Sequence, residues 1–159
     1  MAGDIRAKER SIVTLTTTGG SCSNGSAVVA NGTADFDARS SGNFPDDFLV
    51  QFEFVCQWAT ITSIVAGTIA AELYLVPIVD GTNLPDVDLT GGASRLPYVA
   101  YVDSFECVKA PSANTNMRFT SKNIAINPLL YRPYILGKAG QTISANWSLK
   151  AVSAQGQYT

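Results

Sequence analysis

Carboxylates are the side chains of this sequence whose number and spacing offer acid–base chemistry. Its thirteen acidic residues include the pairs Asp46-Asp47 and Asp86-Val-Asp88, the near neighbours Asp103 and Glu106, and Glu53 inside an apolar alternation. Two suitably spaced carboxyls can hydrolyse a glycosidic bond, one donating a proton while the other acts as base or nucleophile. A chain with this many acids offers such pairs by composition, and no spacing here marks one carboxyl for a raised pKa and its neighbour for a low one. Structural or solvated roles are the expectation. Asp35-Phe-Asp37 and Asp86-Val-Asp88 also present the oxygens that calcium prefers, but neither leads to the closing Glu of an EF-hand loop, and loop acids that cap turns are the simpler reading.

Other chemistries are excluded by residue type. There is no histidine, so Ser-His-Asp and Cys-His catalysis, imidazole metal ligation and imidazole pH switching are all absent. The pairs Gly19-Gly20 and Gly91-Gly92 lack the strand–loop–helix context and the Gly-Lys-Ser/Thr ending of a phosphate loop and read as turns. Cys22, Cys56 and Cys107 are odd in number and far apart, without the close pairs that zinc sites use. Cys56 falls in an apolar strand pattern and is expected to be a buried free thiol. No catalytic residue, metal site or cofactor site is therefore expected, and the chain reads as a non-enzyme.

The elements that position these residues alternate with period two. Phe48, Val50, Phe52, Phe54, Cys56 and Trp58 share one face of a segment whose other face holds Gln51, Glu53 and Gln57, the signature of a long strand with one buried side. Ile143, Ala145, Trp147, Leu149 and Ala151 repeat the pattern. With Tyr131–Leu136 and the turn Gly137-Lys-Ala-Gly140 before them, they predict a β-hairpin over Tyr134–Ala151. Further strands are expected over Ser11–Thr17, Ser26–Ala30, Ile69–Val79, Pro97–Cys107, Met117–Ser121 and Asn123–Asn127, with Pro77 marking an edge or a strand end. Asn31–Pro45, Asp80–Leu96 and Ala110–Asn116 read as loops. Ile61–Glu72 is dense in Ala, Ile and Leu, yet Gly67 and its β-branched residues oppose a helix. Eight to nine short strands predict an all-β fold, a β-sandwich with the jelly roll as its most common arrangement.

Trp58 and Trp147 are in phase with the buried faces and are expected in the core. Tyr74, Tyr98, Tyr101, Tyr131 and Tyr134 are candidates for a recognition surface, Tyr98 above all because it opposes the phase of Val99 and Tyr101.

Charged residues make up 15% of the 159, with a net charge of −2, and the scattered Lys and Arg give no footprint for nucleic acid. The first residues lack the apolar core of a signal peptide, and no apolar run reaches the roughly 18 residues of a membrane helix. Synthesis in the cytoplasm, reduced cysteines and no membrane partner are the expectations, and Asn24-Gly-Ser, Asn31-Gly-Thr and Asn146-Trp-Ser are then incidental sequons. Residues 1–10 read as a flexible N-terminal arm before a single β-sandwich domain over 11–159. Asp4, Arg6, Lys8 and Arg10 in that arm are the candidate partner-binding residues, since such an arm can add a strand to a neighbour's sheet.

Three segments carry a resemblance. Gln51-Phe-Glu-Phe-Val-Cys-Gln-Trp58, Ala71-Glu-Leu-Tyr-Leu-Val-Pro-Ile-Val-Asp-Gly-Thr82 and Pro128-Leu-Leu-Tyr-Arg-Pro-Tyr-Ile-Leu-Gly-Lys-Ala-Gly-Gln-Thr-Ile-Ser-Ala-Asn-Trp147 together resemble small structural virion proteins of tailed bacteriophages. The likeness covers roughly residues 48 to 159. It implies a head decoration (cement) protein, a jelly roll that binds the major capsid protein or other virion proteins and forms dimers or trimers on the lattice. The alternative is a tail or baseplate module that binds a host surface glycan or an adjacent virion protein.

Overall fold

A computed structural model describes residues 5–9, 12–16, 20–29, 35–39, 47–83, 86–87, 96–97 and 100–158. Among the described residues eleven strands follow one another: β1 (Ile5–Glu9), β2 (Val13–Thr16), β3 (Ala27–Val29), β4 (Phe36–Asp37), β5 (Asp47–Cys56), β6 (Ile69–Ile78), β7 (Tyr101–Glu106), β8 (Met117–Thr120), β9 (Ile124–Ala125), β10 (Leu130–Gly137) and β11 (Ser148–Tyr158). The count exceeds the expected eight to nine because β1 and β4 fall in segments expected to be an arm and a loop.

The strands form two antiparallel sheets. In the front sheet β11 lies between β5 on one side and β1 with β2 on the other, and β5 also pairs with β8 and β9. In the back sheet the order is β3-β10-β6-β7, with β4 beside β10. The pairs β6·β7, β5·β8, β3·β10 and β2·β11 are nested in sequence. Such nesting describes one long hairpin rolled over two layers, which is the jelly roll. The fold class expected from the sequence is thus the one observed.

The rolled topology corrects the predicted hairpin over Tyr134–Ala151. β10 lies in the back sheet and β11 in the front sheet, and residues 138–147 cross between them. Ile143 makes isolated bridges to Cys22 and Trp58 instead of belonging to β11. Alternation shows that a face is buried but not which strand lies alongside, so two inward-facing segments joined by a Gly-rich turn looked like partners.

The alternation in β5 is borne out. Val50, Phe52, Phe54 and Cys56, continued by Trp58, are buried between the layers, while Gln51 and Glu53 face outward. Opposite them the back sheet supplies Ala71, Leu73, Leu75, Phe105 and Ile135. Phe54 is central, with ring centroids 5.2 Å from Phe105, 6.0 Å from Phe119 and 5.8 Å from Trp147. Both Ala70 and Ala71 are buried because the register with β7 shifts between Ile69 and Ala71, a bulge that turns consecutive residues inward. Pro77 lies near the end of β6, beyond the last residue that β7 pairs, so the strand has one partner there and the missing N–H is tolerated.

Residues 61–68 form turns closed by Ile64 N–H to Ile61 O and Thr68 N–H to Val65 O. Gly67 takes φ +87°, which supports the sequence argument against a helix. The expected loop Asn31–Pro45 contains β4, pinned to Leu130 and Tyr131 of β10.

Candidate functional site

Four connections meet at one end of the sandwich: β2–β3, β5–β6, β7–β8 and β10–β11. Each is tied to another by the backbone. Cys22 and Ile143 exchange both hydrogen bonds, at 3.1 and 2.9 Å. Ser144 N–H donates to Gln57 O at 2.9 Å, Asn114 N–H to Trp58 O at 2.8 Å and Gly67 N–H to Cys107 O at 2.8 Å. Side chains add to the stitching: Asn24 Oδ1 accepts from Gly140 N–H at 2.9 Å and Gln141 Nε2 donates to Ser63 Oγ at 3.2 Å. Gly137 lets β10 meet the β2–β3 connection, since a Cβ there would lie 2.8 Å from Ser23 O.

Large apolar side chains project from this scaffold. Val65 is 60% exposed and Val108 is 88% exposed. Their loops run side by side, because Cys107 N–H also donates to Thr68 O at 2.8 Å. A cleft of about 380 Å³ opens among three of the connections, and a larger recess of about 640 Å³ runs along residues 108–118.

The three cysteines, scattered in sequence, are all buried and free in this core. Burial pushes the Cys22 thiol up to about 11 and raises those of Cys56 and Cys107 as well. Thiols held protonated in apolar surroundings are poor nucleophiles, as the sequence reading of Cys56 anticipated.

Four of the candidate carboxylates are tied to cations or backbone, while Asp86 and Glu106 are exposed. Glu53 sits between Arg118, in hydrogen-bond contact, and Lys150 at 3.5 Å. The hydrogen bond from Arg118 holds its carboxyl below the usual range, with Lys150 adding to the effect. Asp35 takes a bidentate contact from Arg132, at 3.1 and 3.0 Å, and Asp37 one from Arg39, at 2.9 and 2.7 Å. The hydrogen bond from Arg39 lowers the Asp37 pKa. Asp103 accepts from the N–H groups of Ser104 and Lys122. Among the described residues no group of three or more Cys, Asp or Glu is placed to hold a metal ion. Asp46 and Asp88 lie outside the described residues, as does Tyr98.

Trp58 and Trp147 are core residues, 0% and 1% exposed, as expected, and the Trp147 indole N–H donates to Gly20 O at 2.7 Å. Tyr131 and Tyr134 are buried, whereas Tyr101 is partly exposed and meets Tyr74 edge to face at 5.6 Å.

Of the arm, Ile5–Glu9 forms β1, antiparallel to Ala154–Tyr158, with Arg6 opposite Gln157 and Lys8 opposite Gln155. On that side of β11, β2 pairs only at Leu149–Ala151, so the end of β11 presents backbone groups that these residues satisfy. Over those five positions the expected free arm is a strand of the chain's own sheet. Asp4 and Arg10 lie outside the described residues. The sequence reading missed the convergence of the loop end, whose members are spread from residue 21 to residue 145.

Fold and site together define a jelly-roll β-sandwich with a rigid, partly apolar loop end. No known protein family matches the chain, and no curated protein does. Among solved structures it is similar to VP2 of infectious bursal disease virus in a subviral particle, at 14% identity and a TM-score of 0.49, over 96% of this chain and 33% of that one. It is also similar to a mutant VP2 of the same virus in T=1 particles (19% identity, TM-score 0.42, 94% and 32% of the two chains) and to the virus's Gx strain (16%, 0.37, 94% and 32%). The chain spans about a third of the length of these proteins.

Proposed function

We propose that the chain is a non-enzymatic structural subunit of a virus particle, of the head-decoration kind, which binds and reinforces a lattice of major capsid protein. The observation that carries the binding role is the loop end. Val65 and Val108 stand exposed on connections fixed to one another by backbone hydrogen bonds, and exposed apolar groups on a rigid scaffold favour protein contact. The pairing of Glu53, Asp35 and Asp37 with Arg and Lys supports a structural use of those acids over hydrolysis. The address on a phage head rests on the sequence resemblance of residues 51–58, 71–82 and 128–147. Arg6 and Lys8 on β1, with Asp4 and Arg10 next in sequence, are proposed as additional contacts to a neighbouring subunit, in a dimer or trimer on the lattice. The role needs neither nucleic acid nor membrane.

Binding that selects the assembled lattice stabilises it by mass action. Purified chain mixed with undecorated heads should bind stoichiometrically and raise the head melting temperature. Val65→Asp with Val108→Asp should abolish binding while leaving the subunit folded, because exposed substitutions usually change stability by less than about 0.5 kcal/mol. Absence of binding at micromolar subunit, or undiminished binding by the double variant, overturns the proposal.

A further inference from the structure

The structure assigns a second binding site, for a neutral polyhydroxylated ligand such as a hexose unit of a glycan, to the cleft among the β2–β3, β5–β6 and β10–β11 connections. Its polar lining is Ser21, Thr60, Gln141, Thr142 and Ser144, with Ala59 and Ala145 between them. At about 380 Å³ the cleft lies at the small end of the roughly 300–1,000 Å³ typical of ligand sites.

The lining selects the ligand chemistry. None of these side chains is ionisable, so a phosphate, a carboxylate sugar or a nucleotide would surrender its hydration without a counter-charge. An apolar ligand would strand hydroxyl and amide groups away from water. Four hydroxyls that can each donate or accept, together with a primary amide that does both, match a ring of hydroxyls that also do both. The two alanines leave low apolar ground for the C–H face of a sugar ring.

The site is held in place before any ligand arrives. The Cys22–Ile143 exchange fixes Ser21 relative to Thr142, Ser144 N–H is bound to Gln57 O, and Gln141 is held by Ser63. Such preorganisation lowers the ordering cost of binding. The site is shallow, and a dissociation constant for one sugar on the order of 1 mM is expected, made useful by repetition across many copies. The inference does not depend on where on a particle the chain sits, and its failure would leave the structural-subunit reading intact.

The test is saturation-transfer NMR on the intact chain with glucose, galactose, mannose and N-acetylglucosamine, and with N-acetylneuraminic acid as the charged comparison. Amide shifts of the protein then locate the contact. At least one neutral sugar should show transfer, with shifts confined to Ser21, Thr60 and residues 141–145. Thr142→Val and Gln141→Leu should each weaken binding at least about fivefold, roughly the loss of one hydrogen bond, without lowering the melting temperature. No transfer from any neutral sugar at about 10 mM, about ten times the expected dissociation constant, overturns the inference. So does preference for the charged sugar, a shift pattern elsewhere, or binding unchanged in both variants.

Discussion

The two sheets of the sandwich share one core yet treat their outer faces differently. On the back sheet Val76 and Tyr134 are 0% and 1% exposed, covered by Ala100 with Val87 and Leu96 from the β6–β7 connection. On the front sheet the corresponding surface carries Gln51, Glu53, Thr120, Lys150 and Val152, with Ile12 standing 66% exposed at its margin. The back sheet therefore has apolar residues on both sides, and its strands lose clean alternation: Leu75 and Val76 are consecutive and both buried. The front sheet keeps the one-sided pattern and closes its outer face with an ion triad across β8, β5 and β11. A strand's burial pattern thus reports how many layers sit on it, as expected for sheets covered on one face or two.

The largest effect should come from uncovering the back sheet. Tyr134→Ala removes a buried aromatic ring and is expected to cost about 3 kcal/mol, near the low end for aromatic truncations. Val152→Ala on the half-open front face should cost less than about 1 kcal/mol. Urea denaturation of the two variants compares the faces directly. Equal losses would show that the β6–β7 connection contributes no cover in solution.

Gly137→Ala should be next, at about 1–3 kcal/mol. The added methyl would lie 2.8 Å from Ser23 O and 3.2 Å from Cys22 Sγ, where backbone has to move. Because Gly137 exchanges hydrogen bonds with Gly25 and Ser26, the displacement should reach the loop end. Faster alkylation of Cys22 in the variant than in the parent would register it, and an unchanged rate would show the loop end to be independent of β10.

The same contrast explains what could be read from the sequence. The inward face of β5 was legible residue by residue because one face is buried and the other wet. The covered outer face of the back sheet was not legible, since Val76 and Tyr134 interrupt a two-residue period for reasons that lie in the distant residues Val87, Leu96 and Ala100. Strand partners were equally hidden. The Asp35–Arg132 contact joins residues 97 apart, and the crossing of 138–147 between sheets has the Gly-rich composition of a hairpin turn. The loop-end cleft gave no signal because Ser, Thr and Gln in loops are ordinary, and only rolling the chain brings residues 21, 60 and 142 together.

The smallest predicted effect belongs to the ion triad of the front face. Glu53 is held below the usual carboxyl range by Arg118 and Lys150, so the folded state binds its proton less readily than the unfolded chain does. Its contribution is then fully present above the unfolded value of about 4.3. It is lost as pH falls from there through the folded value. The pair is partly solvated, with Arg118 itself 62% exposed, which limits the contribution to about 0.5–1 kcal/mol at low salt. Glu53→Gln should therefore be slightly less stable than the parent at pH 7, and the gap should narrow as pH falls below about 4.3 and shrink in 1 M salt. Lys150→Met should show the same direction with a smaller gap, because its 3.5 Å contact is the looser of the two. A gap that persists at acid pH would assign the loss to packing of the carboxyl stem, and the front face would then be held as the back face is, by contact and not by charge.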